Sequence, residues 1–187
     1  MTISIRSAVA EDAAWIAALL RDGARQGHSR ETLSAQAVPL VEELLHVGFL
    51  TMVKLRHNRP EVCWVDGDVR VATWEGQPVA FLICMHDREG YELHLAGTRP
   101  EFTRHGCFKA LVRHALASSP GESRVFARCY ATSSVAIEAL KAHGFVRTSG
   151  SDPVELDWDR TFPLPESPQA VSRSCWQRFF GGFRRTD

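Results

Sequence analysis

The chain reads Thr98-Arg99-Pro100-Glu101-Phe102-Thr103-Arg104-His105-Gly106-Cys107-Phe108-Lys109-Ala110-Leu111 at the point that decides its fold. An apolar strand pattern ends here, a proline turn follows, and a helical pattern begins at a glycine. The first amides of a helix lack partners within it, and the helix dipole is positive at that end. Gly106 removes a side chain where an anion would approach the backbone, and Arg104 and His105 add polar groups. The stretch predicts a phosphate-binding site; the alternative is an ordinary strand-to-helix turn with a surface arginine.

The segments before this stretch predict a strand, two helices and an antiparallel meander. The first strand contains Ile3 and Ile5, and the first helix begins at Glu11-Asp12 and ends at Gly27. The second helix runs from about Arg30 to Gly48, with a kink or a split at Pro39. Residues 50–66 predict an irregular or partly stranded connection. The meander follows, with strands at 69–74, 79–85 and 91–96.

The segments after it predict a helix over 105–118, a strand over 124–130, a helix capped by Ser133 or Ser134 that ends at His143, and strands at 145–148 and 154–158. This order of elements predicts a mixed α+β domain over residues 1–160. Residues 161–187 predict a proline-punctuated linker and an aromatic, basic tail. The tail packs on the domain or is disordered in one interpretation, and docks on a partner or membrane in the other.

Bulk properties exclude several classes of protein. The 187 residues include 22 basic and 22 acidic side chains, so a protein bound mainly to nucleic acid is not expected. Five cysteines without a CxxC pair favour free thiols in a reducing compartment. The chain shows no signal-peptide pattern and no apolar run of about 18 residues, so we expect a cytoplasmic protein without stable membrane association. The histidines and cysteines show no metal-ligand spacing, so we expect no metal.

Two motifs resemble those of the Gcn5-related N-acetyltransferases, the GNAT family. Thr103–Phe108, after Pro100-Glu101-Phe102, resembles motif A, written Arg/Gln-x-x-Gly-x-Gly/Ala, and Ala136–Phe145 resembles the end of motif B. The resemblance covers about residues 3–158, and the order of elements agrees with the family fold. It implies a three-layer α/β/α architecture around a mostly antiparallel, twisted central sheet. It also implies a splay between the fourth and fifth strands, here the strands at 91–96 and 124–130.

The resemblance implies acetyl-CoA as the cofactor, bound mainly through backbone amides. This sequence departs from motif A at two positions. Thr103 replaces the usual Arg or Gln, and Phe108 replaces the second small residue, so its ring must point away from the cofactor. Cys107 is interpreted as a packing residue, because the family transfers the acetyl group without an acyl-enzyme. The cofactor-binding residues predicted in this way are Ala96, Gly97, Thr98, Thr103, Arg104, His105, Gly106, Cys107, Phe108, Lys109 and Ser133.

The strand before motif A carries the candidate base. An alkylammonium has a pKa of about 10.4, so a base must remove its proton near neutral pH. Glu92 and His94 share one predicted face of the strand, with Tyr91, Leu93 and Leu95 on the other. We predict Glu92 as the general base, directly or through water, with His94 assisting. The alternative is that both side chains decorate the solvent face of a sheet.

The usual general acid of the family is missing. The family often places a tyrosine in the motif B helix to protonate the departing thiolate, and here Leu140 occupies that position. Tyr130, at the end of the preceding strand, is the candidate replacement.

The resemblance also implies an amine acceptor, on a small molecule or a protein, in a site shaped by residues 26–59. The alternative is a catalytically inactive domain that binds CoA or a protein partner. The missing tyrosine and the unusual motif A favour this second interpretation, whereas Glu92 and His94 oppose it. A homodimer is compatible with the sequence, which names neither the acceptor nor the oligomeric state.

Overall fold

A computed structural model describes residues 2–56, 59–121 and 123–163 of the chain. In this part it forms a mixed α+β fold, as predicted, with an open sheet of eight strands and four α-helices. The two 3₁₀ turns are Ala10–Asp12 and Pro100–Phe102. The other elements are β1 (Ile3–Ser7), α1 (Ala13–Arg25), α2 (Thr32–Val47), β2 (Phe49–Arg56), β3 (Arg59–Trp74), β4 (Gln77–Asp87), β5 (Gly90–Thr98), α3 (Cys107–Ser118), β6 (Val125–Cys129), α4 (Ser134–Lys141), β7 (Phe145–Ser149) and β8 (Val154–Trp158).

The strand order of the sheet is β1-β3-β4-β5-β6-β8-β7, with β2 paired to β3. Among the described strands, β5 and β6 form the one parallel pair. A parallel pair needs a crossover connection, and α3 lies in that connection. The pairing joins Tyr91–Leu93 to Val125–Ala127, although β5 continues to Thr98. The two strands therefore separate beyond Leu93, which confirms the predicted splay.

Helices cover both faces of the sheet and give it three layers. Leu111 of α3 belongs to a core cluster with Leu82 of β4, whereas Ile16 of α1 belongs to a second cluster with Phe81 and Ile83. Alternate residues of β4 thus face opposite cores, which explains why this strand is a nearly continuous apolar run.

Of residues 50–66, predicted as an irregular or partly stranded connection, residues 50–56 and 59–66 are regular: they lie in β2 and β3, which pair as a hairpin. Cys63 and Val65 face the core beneath α1 and α2. Val62 and Trp64, which alternate with them, are nevertheless 64% and 70% exposed. Because both faces of the hairpin carry apolar residues, the sequence lacks the polar alternation that marks a half-buried strand.

Pro39 lies inside α2, which is a single helix, so the predicted split is wrong. The missing N–H of Pro39 leaves the carbonyl of Ala35 without its helical partner. Both residues are exposed, so water can bond to that carbonyl. Ala37 and Val41 meanwhile hold the opposite side of the helix in the core, where packing outweighs the cost of the proline.

Asp12 ties β1 to the beginning of α1. Its Oδ2 accepts hydrogen bonds from Arg6 Nη1 at 2.6 Å and from the Val9 amide at 2.9 Å. Its Oδ1 accepts from Arg6 Nη2 at 3.0 Å and from Trp15 Nε1 at 2.9 Å. Burial raises the pKa of Asp12, but these bonds outweigh burial and the net pKa is lowered. The sequence-based start of α1 at Glu11-Asp12 is therefore a 3₁₀ turn held by a buried carboxylate.

We expect Asp12→Asn to lower the free energy of unfolding by about 3 kcal/mol at pH 7, because it leaves the Arg6 guanidinium without its anion. A carboxylate whose pKa is lowered on folding stabilises the fold above its unfolded pKa of about 3.9, and this contribution is lost as the pH falls through the folded pKa. The difference between variant and wild type should therefore shrink from pH 5 towards pH 3 in urea unfolding.

Asp22→Asn is the matched control, because Asp22 pairs with Arg25 at 3.0 Å on the exposed side of α1. It should change stability by less than about 0.5 kcal/mol. Equal losses in the two variants would contradict the structural role of Asp12.

Candidate active site

The loop before α3 is exposed from Thr103 to Gly106. Gly106, the N-cap residue, has a φ of 84° and Arg104 has a φ of 65°, both in the left-handed region. The amide of Ala110 donates to the Gly106 carbonyl at 2.9 Å, which is the hydrogen bond that begins the helix. The earlier amides of this turn therefore have no partner within the helix. Amides in such a turn form a concave donor surface that suits an anion. Arg104 and Lys109 are exposed beside it.

Two side chains of this loop stabilise the loop itself. The Thr103 hydroxyl donates to the Pro100 carbonyl at 2.9 Å. His105 Nδ1 lies 2.8 Å from the Thr103 carbonyl, which can only accept, so Nδ1 carries the hydrogen. The His105 ring also meets Trp74 edge-on, with centroids 5.0 Å apart. Thr103, at the position usually held by Arg or Gln, therefore shapes the loop through local bonds.

The two residues that begin α3 point inward. Phe108 packs against the core cluster on the α3 side of the sheet. Cys107 is buried, and burial raises the pKa of its thiol. A buried thiol with a raised pKa suits the packing role predicted for Cys107.

A β-bulge changes the faces of β5. Ile83 of β4 is opposite Leu95, and the next residue, Cys84, is opposite Leu93, so His94 is an extra residue in β5. Leu95 therefore packs with the core beneath α1 and α2, whereas Tyr91 and Leu93 lie in the core beneath α3. The prediction that Leu95 shares a face with Tyr91 and Leu93 is wrong, because simple alternation cannot register an inserted residue.

Glu92 and His94 are in direct contact at the point where β5 leaves β6. Glu92 is 5% exposed, and its Oε1 lies 3.1 Å from His94 Nδ1. Its Oε2 lies 3.7 Å from Arg128 Nη1. Burial raises the pKa of Glu92, but the bond from His94 and the charges of His94, Arg128 and Lys54 outweigh it, and the net pKa is lowered. Glu92 is therefore an ionised, buried carboxylate at neutral pH.

The segment after β6 contacts the loop between α1 and α2. Ser133 is the N-cap residue of α4 but makes no capping bond through its side chain, so that part of the prediction is wrong. Its Oγ instead lies 3.1 Å from His28 Nδ1. The Thr132 hydroxyl donates to the Gly27 carbonyl at 2.6 Å. Because these partners are about 100 residues apart, no local pattern in the sequence indicates the contact.

The two ends of α1 lie near the two strands that separate. Near its start, Trp15 lies beneath the Arg99 guanidinium, 5.2 Å from the ring centroid and just past the end of β5. After its end, Gly27 bonds to the segment that follows β6. A cavity of about 640 Å³ opens between the end of α1 and the start of α2, with Arg25, Ser29 and Glu31 in its wall.

Tyr130, the candidate general acid, and Leu140, at the position of the family's usual acid, differ in their settings. Tyr130 is half-buried just beyond β6, where its carbonyl accepts from the Ser133 amide at 2.8 Å. Leu140, at the position of the family tyrosine, is buried in the core on the α3 side. The sequence reasoning missed Arg128 and Lys54, the two cations near Glu92, although Arg124, Phe126 and Arg128 alternate in the sequence as residues of one face should.

The model of the Acetyltransferase (GNAT) family matches residues 29–145. The chain belongs to this family. The matched region includes the loop before α3, the splayed strands and all of α4. No curated protein matches the chain in sequence.

Solved structures of acetyltransferases share the fold at low sequence identity. One is the PaiA N-acetyltransferase of Thermoplasma acidophilum in complex with coenzyme A, with 15% identity, 84% of this chain and 99% of that chain covered, and a TM-score of 0.55. Another is the ribosomal-protein-S18-alanine N-acetyltransferase of Escherichia coli, with 16% identity, coverages of 91% and 99%, and a TM-score of 0.56. An acetyltransferase of Thermus thermophilus reaches a TM-score of 0.59 at 16% identity, with 84% and 96% covered. At these identities the similarity shows the fold alone.

The part of the chain that the structure describes has neither a membrane-crossing helix nor a metal-ligand cluster. No helix there combines the length and apolar character needed to cross a membrane. Within the same residues, no three His, Cys, Asp or Glu side chains are grouped as metal ligands would be.

Gly97, a predicted cofactor-binding residue, lies against the core. A Cβ at Gly97 would be 2.6 Å from Phe81 Cε1 and 3.5 Å from Leu19 Cβ. We expect Gly97→Ala to lower the free energy of unfolding by about 1–3 kcal/mol, because the Phe81 ring must shift in a packed core. Gly121→Ala is the control, since a Cβ there meets nothing within 4 Å. Denaturant unfolding measures both, and equal stability of the two variants would contradict this packing role.

Proposed function

We propose that this GNAT protein transfers an acetyl group from acetyl-CoA to an amine. Family membership supports the reaction class. The observation that carries the proposal is the contact between Glu92 and His94, where β5 leaves β6. This contact places an ionised carboxylate and an imidazole beside the opening between two sheet strands. An acetyl group reaching that opening would meet a pair able to take a proton from an incoming amine.

The loop before α3 suits the pyrophosphate of CoA. Its amides around Gly106 would supply donors, and the exposed side chains of Arg104 and Lys109 would supply positive charge. The backbone of Ala96–Thr98, at the free end of β5, and Ser133 complete the predicted set. The PaiA N-acetyltransferase of T. acidophilum, which shares this fold, was solved with coenzyme A. When bound, acetyl-CoA supplies a thioester carbonyl that is activated towards amines.

The residues of this chain handle the protons of the reaction. The acceptor must lose a proton to attack, and Glu92 is the proposed base, directly or through water, with His94 assisting. A C–N bond forms as the C–S bond breaks, and the departing thiolate takes a proton, for which Tyr130 is the proposed donor. The amine enters from the side of residues 26–59, where the cavity between α1 and α2 lies. The acceptor is a small molecule or a protein amine.

A catalytically inactive, CoA-binding or protein-binding domain is the second candidate. The observation that favours it is the burial of Leu140 in the core at the position of the family tyrosine. A leucine cannot protonate a thiolate, so turnover depends on another donor.

An assay of free thiol release from acetyl-CoA with a panel of amines separates the two candidates. We expect at least one primary amine to accelerate release, and Glu92→Gln and His94→Ala each to slow the accelerated rate by about 10²–10⁴-fold. Glu138→Gln is the control, because Glu138 pairs with Lys141 on the exposed side of α4. If no amine accelerates release while CoA still raises the melting temperature, the inactive domain is the correct function. Full activity of the first two variants would contradict the catalytic assignment.

Gly106→Ala tests the CoA site. A Cβ at Gly106 would strain a residue with φ of 84° and crowd the amides that face the proposed pyrophosphate. Gly76→Ala is matched, since Gly76 has a φ of 86° and, like Gly106, no neighbour within 3.5 Å of an added Cβ. Both changes should cost about 1 kcal/mol of stability. We expect Gly106→Ala alone to reduce the rise in melting temperature that CoA causes; equal rises in both variants would contradict this position for the site.

A further inference from the structure

Arg128 of β6 joins carboxylates on both sides of that strand. Its Nη1 lies 3.7 Å from Glu92 Oε2, and its Nη2 lies 3.3 Å from Glu89 Oε2, next to β5. Its Nε donates to Glu155 Oε2 of β8 at 2.9 Å. The guanidinium also lies 4.8 Å from the centroid of the Phe126 ring, and Phe126 is opposite Glu92 in the sheet. These contacts hold one cation in a defined place beside Glu92.

The contacts of Glu92 leave it little freedom to accept a proton from a substrate. Its carboxylate is buried, with one oxygen facing Arg128 and the other facing His94 Nδ1. An ionised carboxylate can only accept hydrogen bonds, so His94 Nδ1 carries the hydrogen. In a neutral imidazole the other nitrogen, Nε2, then holds the lone pair. The His94 side chain is 25% exposed, and within the described residues its hydrogen bonding is confined to Glu92.

We propose that Arg128 is a positioning residue that holds Glu92 against His94 Nδ1, and that the proton of the acceptor amine passes to His94 Nε2. This inference rests on the proposed function and revises one part of it: within the Glu92–His94 pair, His94 takes the proton and Glu92 orients and stabilises His94. The N–H bond of the amine breaks as nitrogen attacks, and the proton forms an imidazolium on His94. The Glu92 carboxylate stabilises that cation through the bond to Nδ1, and solvent later removes the proton.

The other charged groups around Glu92 do not replace the effect of Arg128 on its ionisation. Lys54 of β2 adds a second cation, but it lies 2.9 Å from Asp87 and 3.7 Å from Glu89. Cys129 of β6 is affected in turn: burial and the charge of Glu92 raise the pKa of its thiol to about 11. Cys129 therefore stays protonated near neutral pH and does not compete as a base. Burial raises the pKa of Glu92. If Arg128 were removed, His94 and Lys54 would remain of the groups that lower this pKa.

Arg124 provides a matched control. Its guanidinium also stacks on Phe126, at 4.4 Å from the ring centroid, and pairs with Glu155 at 2.7 Å and with Asp157. It thus shares with Arg128 the ring and one carboxylate, while its ion pairs are with β8 and none is with Glu92. A loss of structure caused by removing either arginine will appear in both variants. An effect on the ionisation of Glu92 will appear only when Arg128 is replaced.

The experiment is an NMR pH titration of the full chain with ¹³C-labelled glutamate and ¹⁵N-labelled histidine. The Glu92 carboxyl signal is assigned by its loss in Glu92→Gln. We expect Arg128→Gln to raise the Glu92 midpoint by roughly 0.5–1 pH unit, because an opposite charge near a carboxylate lowers its pKa and partial exposure weakens the effect. Arg124→Gln should move the midpoint by less than about 0.2 unit, since its partners lie elsewhere. Equal midpoints in the two variants would overturn the role of Arg128.

The wild-type protein gives a second test that needs no arginine variant to fold. We expect the ¹⁵N signals of neutral His94 to show a protonated Nδ1 and an unprotonated Nε2. In Glu92→Gln, we expect the fraction of His94 with its hydrogen on Nδ1 to change. A protonated Nε2 in the wild type would overturn the proposal. Neither measurement uses an acceptor or acetyl-CoA, so its failure leaves the acetyl-transfer assay unaffected, and the absence of turnover leaves these titrations interpretable.

Discussion

The short parallel pairing between β5 and β6 is the constraint on which the rest of the site depends. Three residue pairs hold the two strands together, and beyond Leu93 they separate. The backbone groups that this separation frees must find other partners or remain available to a ligand. The bulge at His94 lies at the same point and turns the end of β5 towards the core beneath α1. If β5 and β6 were paired over more residues, the opening would close. Without the bulge, Leu95 would face the same core as Tyr91 and Leu93.

Charges from several strands act on Glu92. Arg128 contacts carboxylates beside β5 and on β8, and Lys54 brings a cation from the β2–β3 hairpin to Asp87 at the end of β4. The hydrogen bond from His94 and the charges of His94, Arg128 and Lys54 lower the pKa of Glu92 and keep it ionised despite its burial. Burying a single carboxylate is costly unless opposite charges and hydrogen bonds compensate it. The network thus links the geometry of the splay to the charge state of the pair proposed for proton transfer.

The unusual motif A residues keep the loop before α3 in shape. Thr103 and His105 bond within the loop, and Phe108 packs inward beneath α3. A donor surface made of backbone amides depends on φ and ψ angles more than on side chains, so it tolerates such replacements. Gly106 differs, because its left-handed conformation is one that other residues adopt only with strain. The structure therefore explains how a loop with atypical side chains can keep the features of a phosphate site.

The sequence by itself determined the α+β class, the order of elements from β3 onward, the glycine loop before α3 and the proximity of Glu92 to His94. These features follow from local periodicity, turn chemistry and a motif, all of which lie within short segments. Only the tertiary structure decided the β2–β3 hairpin, the unbroken α2, the face of Leu95 and the position of Arg128 beside Glu92. Each of these depends on contacts between distant segments: apolar residues on both faces of the hairpin concealed its alternation, packing outweighed Pro39, an inserted residue reversed the alternation of β5, and strand pairing brought Arg128 to a carboxylate 36 positions earlier.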